Sequence, residues 1–155
     1  MIEFLTIKSG AKFFRFEHND ILYIEAAKNY SDVHIAGSNK IDTFSIQIGE
    51  IADYIRSQLK QTASSFIRVG KSLIINRNYV QCIDVSNGKL ELYCGVGRAI
   101  ECDVFKYSSN DYDKDRKKYR TETSPEYQMR NTNIKIELSA SREALIKLRD
   151  ELLED

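Results

Sequence analysis

The sequence predicts a mainly β fold: elongated antiparallel β-sheets, one short central helix, a C-terminal helix and an inserted long hairpin or arm. Three observations predict it. Apolar residues recur with period two over most of the chain, the signature of half-buried strands. The period changes to that of a helix twice, once in mid-chain and once at the end. Between positions 108 and 132 the chain is polar, rich in tyrosine nearby and almost free of aliphatic residues.

The first strands are expected at residues 2–7, 12–16, 21–25, 32–35 and 41–46. Ser9-Gly10, His18-Asn19-Asp20 and Gly37-Ser38-Asn39 separate them with residues that favour turns. Ile48, Ile51, Ile55 and Leu59 then form one stripe of a helix, which Gly49 weakens near its start by roughly 1 kcal/mol relative to alanine. After Thr62-Ala63-Ser64-Ser65, strands resume at 66–69, 73–75, 79–85 and 89–94.

The last two of these form a hairpin. With Asn87-Gly88 as a two-residue type I′ turn, Ser86 faces Lys89, Val85 faces Leu90 and Ile83 faces Leu92. That register sets Cys82 and Cys94 on opposite faces, where no disulfide can join them. Alternation at Ile100, Cys102 and Val104, and again at Ile134, Ile136 and Leu138, predicts two more strands. Pairing residues 98–105 with 133–138, Ile100 opposite Ile136, sets Glu101 against Lys135 and leaves the charged stretch as a projecting tip. Ser139 or Ser141 caps the final helix, Glu143 suits its first turn, and Leu145, Leu148 and Leu152 make its apolar stripe.

Composition bounds the class. The 155 residues suit one domain, residues 1–155, and 42% apolar content suffices for a core. No apolar run approaches the ~20 residues of a membrane helix, and no signal-peptide pattern opens the chain, so a cytoplasmic protein without a membrane partner is expected. Cys82, Cys94 and Cys102 lack metal spacing, and they read as small apolar strand residues. No metal site, cofactor or enzyme signature is found, so the chain reads as a non-enzyme. His18, beside a turn, and His34, in a strand, read as structural.

Net charge is zero, from 23 basic and 23 acidic residues. Any nucleic-acid argument must therefore rest on local charge. Residues 61–105 carry net +1 and 106–131 net +2, against −1 for residues 1–60 and −2 for 132–155. Two stretches stand out. Arg68, Lys71 and Ser72 lie at a junction between apolar strand pieces, where a cation and a hydroxyl can meet phosphate or a base edge. A strand ending at Glu25 runs into Lys28, Asn29 and Tyr30.

These residues carry a resemblance. Ile-Leu-Tyr-Ile-Glu25 with Ala-Ala-Lys-Asn-Tyr30, the helix followed by Phe66, Arg-Val-Gly-Lys-Ser72, Ile-Ile-Asn76 and Leu-Ser-Ala-Ser-Arg142 resemble, in that order, the LytTR DNA-binding domain of bacterial transcription regulators. The resemblance spans about residues 4–93 and resumes at 134–153. It implies sequence-specific binding of double-stranded DNA through loops, and with it transcription regulation. The implied sites are the loop after Glu25 with Ser31 nearest the reading position, then Lys71, then Arg142 beside Ser141. Lys28, Arg68 and Arg77 would touch phosphates, and Asn76 reads as structural. Gly70 stands where members often carry histidine, and about thirty residues around 102–131 interrupt a usually short connection.

Met1 leads directly into Ile2-Glu-Phe-Leu, so the N-terminal receiver domain common in the family is not expected in this sequence, which reads either as a free-standing regulator or as an excised fragment. A signalling protein in its place and a homodimer on repeated half-sites are the expected partners besides DNA. The alternative is a protein-interaction module on the same fold, docking through the tyrosine-rich insertion. That insertion reads equally as an arm or as a solvated loop.

Overall fold

The computed structural model describes residues 2–94, 112–113, 118–119 and 134–154. Strands β1 (Phe4–Ser9), β2 (Lys12–Glu17), β3 (Ile21–Ala27), β4 (Tyr30–Ile35) and β5 (Ile41–Phe44) precede helix α1 (Ile48–Gln58). Then follow β6 (Phe66–Val69), β7 (Leu73–Asn76), β8 (Val80–Asp84) and β9 (Lys89–Cys94). Two two-residue strands, β10 (Tyr112–Asp113) and β11 (Lys118–Tyr119), pair with each other. Strand β12 (Ile134–Ser139) and helix α2 (Arg142–Leu153) end the fold. The architecture is mainly β, antiparallel throughout the described ladders, with two helices, as the sequence predicts.

A five-stranded sheet, β5-β4-β3-β7-β6, forms the middle layer. Strand alternation sorts its side chains between two cores. Ile24, Val33, Phe44 and Ile74 meet Ile48, Ile51 and Ile55 of α1 and Leu5, Ile7 and Phe16 of the β1–β2 hairpin. Tyr23, Ile67, Val69, Leu73 and Ile75 meet Leu90, Leu92 and Leu138 of the β12-β9-β8 sheet and Leu145 and Leu148 of α2. A register shift between Ile21 and Tyr23 lets Ile21 join the first core although Tyr23 joins the second.

Local chemistry fixes the joints. Asn76, wholly buried, donates through Nδ2 to the Ile21 carbonyl at 3.0 Å and accepts from the Asn78 N–H at 3.1 Å, the structural role expected of it. The Gln58 side chain bonds both backbone groups of Thr6, at 2.7 and 3.1 Å, tying α1 to the β1 edge. Glu3 accepts from the backbone of Lys60, Gln61 and Thr62 and from Thr62 Oγ1, so it closes the chain leaving α1. The hydrogen bond from Thr62 Oγ1 leads in holding its pKa down, at about 2. His18 is buried with its Nδ1 3.4 Å from the Glu3 backbone.

The β8–β9 hairpin corrects the expected register. Asp84 faces Lys89 and Ile83 faces Leu90, so residues 85–88 form a four-residue loop instead of the two-residue turn. The Asp84 carboxylate is the reason: it accepts from Ser86 Oγ, the Asn87 N–H and Asn87 Nδ2. These bonds depress its pKa, the Asn87 side chain leading, and offer the backbone a longer turn than Asn-Gly alone selects. The slip is two residues, so faces are kept. Cys82 is exposed and Cys94 buried, and no disulfide joins them.

Strand β12 lies on β9, with Ile134 opposite Cys94, Ile136 opposite Leu92 and Leu138 opposite Leu90. The expected partner segment, residues 98–105, lies outside the described residues, as do Cys102 and most of the insertion. Glu137 faces Glu91 in this ladder. Lys89 at 3.9 Å from Glu137 and Lys135 at 3.6 Å from Glu91 offset that like-charge pair.

Candidate nucleic-acid interface

Three chain reversals gather at one end of the molecule. The first is the β3–β4 turn, where Ala27 faces Tyr30 and Lys28-Asn29 span the reversal. Lys28 takes φ +59, a left-handed conformation otherwise confined to glycines among the described residues. Lys28, Asn29 and Tyr30 are all exposed. The second is the β6–β7 turn, Gly70-Lys71-Ser72, in which Gly70 takes φ +65 and Lys71 and Ser72 are exposed. The Ala26 N–H donates to the Ser72 carbonyl at 2.8 Å, so the two turns are joined.

The third reversal is the start of α2. Ser141 caps the helix, its Oγ accepting from the Ala144 N–H at 3.1 Å, and Arg142 follows exposed. A Cβ added to Gly70 would sit 3.9 Å from the Ala144 Cβ, which shows how near the β6–β7 turn stands to this helix end. Lys71, Ser72, Ser139 and Ser141 line a shared cleft of about 310 Å³, with Glu25 on its wall. The structure thus brings together Lys28, Asn29, Tyr30, Lys71, Ser72, Ser141 and Arg142.

Three expected residues sit elsewhere. Ser31 is fully buried, and its hydroxyl donates to the Ile46 carbonyl at 2.6 Å. It ties β4 to the segment entering α1 and offers no atom to solvent. Arg68 alternates with Ile67 and Val69, so it faces the α1 side of the sheet; its guanidinium donates to the Lys71 carbonyl at 3.2 Å. Arg77, half-buried, lies five residues beyond Ser72, roughly 16 Å away along an extended strand and at the opposite end of β7.

Glu25 was not singled out as a site residue, although it lines the cleft beside Lys71. Its strand parity, shared with Tyr23, was the available signal. Glu25 and Asp32 face each other across β3 and β4, and His34 Nε2 stands 3.9 Å from Glu25. Tyr23 stacks on His34 with ring centroids 4.0 Å apart. Burial, then the charges of Glu25 and Asp32, push the Tyr23 phenol up to about 12. Burial lowers the His34 pKa against the pull of the same two carboxylates, so the imidazole is neutral near pH 7. Among the described residues no group of three or more His, Cys, Asp or Glu could hold a metal, and no helix is long and apolar enough to cross a membrane.

The mainly β module presents Lys28 and Lys71 from two turns and Arg142 from a helix start. The chain matches the family model of the LytTr DNA-binding domain over residues 11–102 and belongs to that family. The matched segment ends before β12 and α2. Among solved structures, the LytTr DNA-binding domain assigned to a methyl-accepting/DNA response regulator from Bacillus cereus is similar at 22% identity and a TM-score of 0.43, covering 62% of this chain and 82% of that one. No curated protein matches the chain.

Proposed function

We propose that the chain binds double-stranded DNA sequence-specifically and regulates transcription. The observation that carries this reading is the gathering of Lys28, Lys71 and Arg142, from three different elements of a LytTR-family chain, at one exposed end. Lys71, on the β6–β7 turn, and Arg142, at the start of α2, are long donors and read base edges, since Arg and Lys commonly pair with guanine O6 and N7. Lys28 and Asn29 contact phosphates and set position. The α2 N-terminus adds the positive end of a helix dipole beside Ser141. Ser31 acts indirectly, by holding the base of the β3–β4 hairpin. A domain this small makes few contacts, so two copies on repeated half-sites supply useful affinity. Its site of action under this reading is the bacterial cytoplasm, with a signalling protein as a further partner.

Selection of bound duplexes from a random library tests the specificity. Lys71→Ala and Arg142→Ala should each cost about 1–3 kcal/mol, concentrated at one position of the selected site. Lys28→Ala should weaken all sequences alike and lower the salt slope by about one. Arg77→Ala should do less than Lys28→Ala. If all of these variants select and bind as the parent does, the site assignment is wrong. Binding of a protein partner, insensitive to salt and without duplex affinity, would instead favour an interaction module.

A further inference from the structure

Between α1 and the α1-facing side of the central sheet lies an open cleft of about 320 Å³. Its floor is apolar: Ala52 and Ile55 from α1, Ala63 from the following turn, Phe66 from β6 and Ile74 from β7. Arg56 and Arg68, both exposed, complete the lining. The placement follows from the elements themselves. Arg68 faces Ile74 across the β6–β7 ladder and shares a strand face with Phe66, while Arg56 adjoins Ile55 on the helix. Arg56 pairs with Asp53 on its own helix. Arg68 gives one hydrogen bond to the Lys71 carbonyl, at 3.2 Å, from a guanidinium with five N–H donors.

We propose that this cleft binds a small monocarboxylate with an apolar body, an aryl-alkanoic or medium-chain alkanoic acid. The apolar body lies against Ile55, Phe66 and Ile74, and the carboxylate meets Arg68 and Arg56. Size fits the assignment: an apolar cavity of about 150 Å³ takes benzene, and ligand pockets begin near 300 Å³. A phenyl ring with a short acid arm therefore fills the space. Arg68, which has a carbonyl and no carboxylate for a partner, sets the sign of the ligand's charge, and Arg56, already paired with Asp53, adds donors at the rim.

Occupancy has a second consequence. A carboxylate that draws the Arg68 guanidinium into the cleft would shift its bond to the Lys71 carbonyl, and so reach the turn that carries Lys71. This link to DNA rests on the proposed function; ligand binding itself does not.

The test is a titration of the full chain with 4-phenylbutyrate, followed by amide NMR, with 4-phenylbutyramide as the uncharged control. Saturable shifts are expected at Ala52, Ala63, Phe66 and Arg68, and also at Lys71 and Ser72. The amide should bind about tenfold or more weakly, and Arg68→Gln should cost the acid about tenfold. Ala63→Leu, which fills the floor, should abolish binding. Arg56→Gln serves if the Arg68 variant does not fold. Absence of saturation, equal binding of acid and amide, or indifference to both arginine substitutions would overturn the proposal. Saturation without movement at Lys71 and Ser72 would overturn the link to the turn. Duplex affinity is measured separately with and without 4-phenylbutyrate. A chain that binds no duplex at all would sink the proposed function and leave the titration to stand or fall alone.

Discussion

Lys28 holds a left-handed backbone at the tip of a hairpin, where glycine would sit without steric cost. Such a residue carries about 1 kcal/mol or more of strain, and strain of this kind gathers at functional positions. Lys28→Gly should therefore raise stability by about 1 kcal/mol in urea denaturation while lowering duplex affinity. No gain in stability would mean that the turn stores no strain. Glu3, bound by four donors, governs a different property. Its folded pKa, about 2, lies below the ordinary 4.5. A depressed carboxyl stabilises fully above its unfolded pKa, and that stability is lost as pH falls through the window down to about 2. Glu3→Gln should flatten the stability profile in that window. His34 acts at higher pH: its folded pKa is lowered from 6.5, so acidification below that value already costs stability. Denaturation midpoints measured across pH for Glu3→Gln and His34→Gln would separate the two limbs.

Elements whose partners are near in sequence are legible in the sequence itself. The bounds of β6 and β9 and the buried stripe of Ile48, Ile51, Ile55 and Leu59 match the expectation, because periodicity reports burial directly. The β8–β9 loop was not legible, since Asp84 recruits Ser86 and Asn87 and outweighs the Asn-Gly preference. Nor was the β12–β9 ladder, a long-range pairing that no local pattern encodes. At the candidate site, the exposed turns were readable. The burial of Ser31 was signalled by its parity with Val33, and the placement of Arg68 on the α1 side of the sheet by its parity with Phe66. Two glycines test the element scale. Gly49 sits in α1 with open space where a Cβ would go, so Gly49→Ala should add up to about 1 kcal/mol. Gly88 takes φ +67, and a Cβ there would meet the Ala140 carbonyl at 3.2 Å. Gly88→Ala should cost about 1–3 kcal/mol, and thermal melts of the two variants should move in opposite directions.

At the scale of the molecule, the two cores and two helices of the described residues are built from residues 2–94 and 134–154. Deleting residues 109–128 and joining the ends through a short turn should leave the melting temperature within a few degrees of the parent. A loss of ten degrees or more would show that the deleted residues pack on the fold. Measured on the same variant, unchanged duplex affinity and oligomeric state would leave the insertion no part in either.

The β12–β9 ladder carries one more consequence, for covalent continuity. Cys94 and Ile134 stand opposite each other on adjacent strands, so the chain departs and returns at one place. Six paired positions, with Leu138, Leu145 and Leu148 buried behind them, hold the returning piece on β9. A single cut between residues 95 and 133 therefore leaves two fragments that stay together, one bearing Lys71 and the other Arg142. Under the proposed function, recognition would then depend on the concentration of both fragments, and proteolysis within that segment would turn a one-chain reader into a two-chain one.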